Sequence, residues 1–211
     1  MILSPPLGLF LLGAGIMIAL LGGGIRAAAE APGDAERGRA VFSTKQCVRC
    51  HAPRGQPGVG PALDELRRPQ GAYELAGRLW NHAPAMLGVF EHEKLEWPRL
   101  GTPEMADLVA YLQADPARDP APNLPRGQVL LVQRGCLKCH RLRGEGGAVG
   151  IEFTEYPGGY ESPVVWAASI WNHSPRMAGQ AAQIGVLYPR FTGEEMADLF
   201  GFLRSVAAPS R

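Results

Sequence analysis

The 211-residue chain has little charge and no excess of either sign: 19% of its residues are charged, with 21 Lys+Arg against 20 Asp+Glu. It contains no basic run, and a nucleic-acid binder needs a positive footprint, so a nucleic-acid partner is not expected. It does not lack apolar residues either; at 46% hydrophobic it is an ordinary globular chain, not a disordered polyelectrolyte. No long run alternates apolar with polar residues, so no strand pattern competes with helix. Cysteine is scarce, with four residues, whereas glycine (27) and proline (19) are plentiful and imply much loop.

One long apolar run is present. Residues 7–21 carry no charged or polar side chain, and the apolar character continues to Ile25. This reads as the core of a signal peptide or, if it is retained, as a helical membrane anchor acting through residues 7–25. Ala27-Ala28-Ala29 before Glu30 has the small-residue character of a cleavage site. Arg26 is the only charged residue before Glu30, so removal of 1–29 leaves 20 basic and 20 acidic residues. Both readings place the rest of the chain in a periplasmic or other extracytoplasmic compartment.

There, four cysteines would ordinarily mean two disulfides. They are instead arranged as Cys47-Val48-Arg49-Cys50-His51 and Cys136-Leu137-Lys138-Cys139-His140, two copies of C-x-x-C-H with none left over. This is the attachment pattern of c-type haem: two thiols add to the vinyl groups and the next residue supplies an imidazole to the iron. A thioredoxin-like pair wants a βαβ context, and a four-Cys zinc site leaves both histidines unexplained. Two covalently bound haem c groups are expected.

The motifs belong to a repeat. Arg37-Gly38 precedes Cys47 as Arg126-Gly127 precedes Cys136, at an offset of 89. Trp80–Met86 (WNHAPAM) recurs as Trp171–Met177 (WNHSPRM), and Glu104–Leu108 as Glu195–Leu199, both at an offset of 91. The expected layout is therefore 1–29 signal peptide or anchor, 30–115 first domain, 116–125 a proline-rich stiff linker, and 126–211 second domain.

Each copy reads as helical, and the fold class is all-α. Residues 34–45 suggest a helix leading into the first haem motif. Met105, Leu108, Val109, Leu112 and Met196, Leu199, Phe200, Leu203 each fall at i, i+3, i+4, i+7. Thr192 with Glu195 has capping-box spacing, and Thr102-Pro103 offers an N-cap followed by proline. Pro84 and Pro175 place His82 and His173 at a helix junction. Gly38 and Gly127 would let the first and last helices of a copy cross closely.

Gly38 with Phe42, the C-x-x-C-H motif, Gly60-Pro61 with Leu63, and a last helix ending in Tyr111-Leu112 resemble the class I cytochromes c. The two copies together resemble the tandem di-haem members, over residue 33 to the end. The resemblance implies that the Pro61 carbonyl orients His51; the second copy has Ile151 at that place. It also implies a distal Met before the last helix. Trp97-Pro98-Arg99-Leu100 and Tyr188-Pro189-Arg190-Phe191 put an aromatic there instead. The distal ligands that recur in both copies are Met86 and Met177, preferred on the family habit of His/Met ligation, with His82 and His173 as the alternative. Trp80 and Trp171 are expected to pack against the haems, whereas Met105 and Met196 sit on the core stripe.

Such a chain is expected to carry single electrons between redox proteins and not to be an enzyme. The alternatives are a di-haem peroxidase-like enzyme with one open haem, or a fixed cytochrome subunit of a respiratory membrane complex.

Overall fold

Helix α1 spans Ala35–Thr44 and is capped by Asp34, whose side chain accepts from the Arg37 N–H at 2.7 Å. The computed structural model describes residues 32–53, 56, 58–63, 70–156 and 160–207, so the expectations for residues 1–29 lie outside it. After α1 come α2 (Ala72–His92) and α3 (Thr102–Tyr111); the second half repeats this order with α4 (Leu124–Gln133), α5 (Pro163–Gln183) and α6 (Gly193–Val206). The one sheet among the described residues is a hairpin, β1 (Arg141–Leu142) paired antiparallel with β2 (Glu145–Gly146). Its turn residues Arg143 and Gly144 both have positive φ, as a two-residue hairpin loop requires. No described helix is long and apolar enough to cross a membrane.

In each half the first helix crosses the last, α1 on α3 and α4 on α6. A Cβ on Gly38 would overlap the Asp107 carbonyl, and one on Gly127 the Asp198 carbonyl, so the backbones meet where only glycine fits. Beside each crossing a buried carboxylate is satisfied twice. Asp107 accepts from the Arg37 guanidinium and from the Asp34 N–H at 2.7 Å; Asp198 accepts from Arg126 and from the Asn123 N–H at 2.6 Å. The Arg37 hydrogen bond, followed by that from Asp34, holds the Asp107 carboxyl below its usual range.

The two halves share one hydrophobic core: α2 packs on α5 and α6, and α3 on α5. The contact is reciprocal. Trp80 donates its indole N–H to the Pro189 carbonyl (2.6 Å), and Trp171 donates to the Pro98 carbonyl (2.7 Å). Asn81 brackets Phe191, donating to its carbonyl (2.7 Å) and accepting its N–H (2.9 Å); Asn172 does the same to Leu100 at 2.7 and 3.0 Å. Trp80 stacks on Tyr188 at 4.6 Å, and Trp171 lies 4.4 Å from Trp97. The aromatic-Pro-Arg segment of each half thus docks on the Trp-Asn pair of the other.

Three sequence expectations change. Pro84 and Pro175 do not mark junctions; both lie inside the continuous helices α2 and α5. Proline removes the N–H that would reach the carbonyl four residues back, a defect of about 3 kcal/mol in an isolated helix. For Pro175 that carbonyl belongs to Trp171, and the Trp97 indole of the other half donates to it at 3.3 Å. The cap of α3 is Gly101 instead of Thr102, because Glu104 reaches back to the Gly101 N–H at 2.9 Å. The Thr192–Glu195 pair does form a capping box at α6. The proline-rich segment begins with a 3-10 turn, Pro116–Arg118, and is fastened to the body: Asp119 accepts the Tyr73 N–H at the start of α2, at 2.9 Å.

Candidate functional site

The two C-x-x-C-H motifs adopt the same local backbone. Gln46 and Gly135, one residue before the first cysteine, are both left-handed (φ 65° and 76°), and a 3-10 turn follows at Cys47–Arg49 and Cys136–Lys138. The His51 N–H returns to the Cys47 carbonyl and the His140 N–H to the Cys136 carbonyl, each at 2.9 Å. Both thiols and the imidazole are thereby presented from one tight loop. The four cysteines are free. Burial pushes the Cys47 and Cys136 thiols up to about 11, the opposite of the depressed pKa that serves thiol–disulfide exchange.

Each imidazole is oriented through Nδ1. His51 Nδ1 lies 2.9 Å from the Pro61 carbonyl oxygen, and His140 Nδ1 lies 3.1 Å from that of Ile151. A donor bond from Nδ1 to a carbonyl leaves Nε2 as the free lone pair, the form a metal binds. The loops carrying the two carbonyls are anchored alike, with Gly60 N–H on the Cys50 carbonyl (2.8 Å) and Gly150 N–H on the Cys139 carbonyl (2.7 Å). A Cβ on Gly60 or Gly150 would run into the imidazole of His51 or His140.

Where the second half lacks proline, a carboxylate stiffens the loop. Glu152 accepts the N–H groups of Arg143 and Gly144 at 2.9 Å each and the Thr154 hydroxyl at 2.9 Å. Burial opposes its ionisation, but the bonds from Gly144, Thr154 and Arg143 outweigh that and hold the carboxyl down at about 2. Glu152 therefore ties the residue after Ile151 to the hairpin turn. Phe153 stacks on the His140 ring at 4.6 Å.

A cavity of about 500 Å³ opens over His140. Cys136, Cys139 and His140 lie on its wall with His173 and Met177 of α5, and Trp80 of the first half is among the other lining residues. Volume, apolar lining and few polar groups are what a cofactor pocket needs. Two free thiols, an imidazole with its Nε2 available and a large apolar cavity fit haem c. Burial lowers the pKa of His140, though its bond to Ile151 works the other way; burial, then His140, lowers that of His173. Both imidazoles are thus favoured in the neutral form.

The remaining sequence candidates fall in different places. His82 is exposed and Met86 half-buried on α2, at the helical positions of His173 and Met177 on α5. Met105 and Met196 are in the core. Trp171 is buried against Trp97, and Trp80 lines the cavity of the opposite half. Sequence reasoning passed over Asn81 and Asn172 although both lie within the repeated Trp-Asn-His, because the histidine offered a ready use for the motif. Glu152 carried no signal, having no counterpart in the first copy.

Residues 35–114 match the family model Cytochrome c, and this stretch is a cytochrome c domain. Such a domain holds haem c and its iron covalently and belongs with electron transfer. No curated protein and no solved structure matches the chain.

Proposed function

We propose that the chain is a di-haem c-type cytochrome, a one-electron carrier between redox proteins in a periplasmic or membrane-associated chain. The observation that carries this reading is a second C-x-x-C-H loop built like the first. Beyond the matched domain, His140 is held through Nδ1 by a carbonyl as His51 is, and it lines a cavity together with Cys136 and Cys139.

The bound haem would supply reversible one-electron chemistry at iron. The chain's own residues do the rest. Pro61 and Ile151 fix the imidazoles, Cys47, Cys50, Cys136 and Cys139 anchor the cofactors, and Trp80 with Tyr188 excludes water from one wall. Exposed Val149, Ile151, Ile184 and Leu187 border the cavity over His140, a small apolar rim suited to brief docking of a redox partner. Residues 1–29 would direct export, as a cleaved signal or a retained anchor.

Intact mass tests the reading directly. Two haem adducts that survive acid–acetone extraction, on a chain that exchanges electrons without turning over peroxide, are expected. One adduct would remove the di-haem reading, and rapid peroxide turnover would replace the carrier with an enzyme.

A further inference from the structure

His173 makes no hydrogen bond among the described residues, although it is half-buried and lines the cavity over His140. Its ring centre lies 6.5 Å from that of His140, with 54° between the planes. That separation is informative. A hydrogen-bonded pair of imidazoles would sit closer, at about 5 Å between ring centres. A metal–imidazole bond is about 2 Å, and the ring nitrogen lies about 1 Å from its own ring centre, so two imidazoles on one metal stand about 6 Å apart. Rings joined end to end through a metal can rotate about the shared axis, and a 54° angle is compatible with that arrangement.

Met177, the competing side chain, lies on the same face of α5 but one turn further on, about 6 Å along the helix. Tyr188–Phe191, the segment before the last helix, is committed elsewhere: Pro189 and Phe191 hold Trp80 and Asn81 of the first half. That docking fixes one side of the cavity and leaves α5 to supply the group opposite His140.

We infer that His173 is the distal axial ligand of the second haem, which is held between His140 and His173, with Met177 packing beside the ring. This rests on the di-haem reading. His82, the eleventh residue of α2 as His173 is of α5, has the corresponding place for the first haem.

The test uses the oxidised, full-length protein carrying its haems. The wild type is expected to be wholly low-spin with no red Met–iron charge-transfer band. Met177→Leu should leave both haems low-spin, with no change in the bands that report axial ligation. His173→Ala should convert half of the low-spin signal to high-spin or water-ligated haem. His173→Met, which also serves if the alanine variant fails to fold, should create a Met–iron band in one haem and raise its potential, since Met/His ligation lies higher. A Met–iron band in the wild type that Met177→Leu abolishes would overturn the inference while leaving two haems by mass. A chain with a single haem by mass would instead overturn the di-haem reading itself.

Discussion

At Gly150 the space for a side chain is already taken by the imidazole of His140, and at Gly60 by that of His51. Gly150→Ala should therefore swing one imidazole off its carbonyl, and the optical spectrum should show one perturbed haem beside one normal one. Gly88→Ala, where a Cβ meets nothing within 4 Å, should change neither. Glu152 makes a different prediction. Its carboxyl titrates at about 2 in the fold against an ordinary 4.5, so its contribution to stability is complete above about pH 4.5 and lost as pH falls towards 2. Denaturant midpoints at pH 6 and pH 3 should fall further for the wild type than for Glu152→Gln. At this scale the two C-x-x-C-H loops were legible, because the spacing of the motif sets its local backbone. Glu152 was not legible, because its role depends on a hairpin turn that brings Arg143 and Gly144 to it.

Among the elements, the crossings of α1 with α3 and α4 with α6 depend on one missing methyl each. Gly127→Ala would force backbone apart and should cost at least about 2 kcal/mol in thermal or urea melts. Gly179→Ala, on α5 with open space around it, should instead stabilise by up to about 1 kcal/mol. Trp97→Phe keeps an aromatic ring but leaves the Trp171 carbonyl without its donor, at about 1–3 kcal/mol. The periodicity of α3 and α6 and the Thr192–Glu195 cap were readable because they are local. The continuity of α2 and α5 was not. Local rules break a helix at proline, and the indole that takes up the freed carbonyl of α5 comes from 74 residues away.

As a whole molecule, the chain ties its halves together through Trp80, Asn81, Trp171 and Asn172 and through a common core. A protease site introduced after Asp119 should thus give a nicked protein that still runs as one particle in gel filtration. Asn81→Ala combined with Asn172→Ala should weaken that association or dissociate the fragments. The sequence shows two copies and a connecting segment; whether the copies touch is a matter of surfaces facing each other, which no motif spacing encodes.

The reciprocal docking also bears on how the two copies can drift in length. From Trp80 to Leu108 and from Trp171 to Leu199 the count of residues is identical, and the two extra residues of the second copy all fall before that stretch. Each such stretch is held at its Trp-Asn pair and again at its aromatic-Pro-Arg segment by the opposite copy. An insertion between those two grips would shift one against a partner that has not moved. The two extra residues of the second copy accordingly lie between its C-x-x-C-H motif and Trp171, in the stretch that holds the hairpin β1–β2.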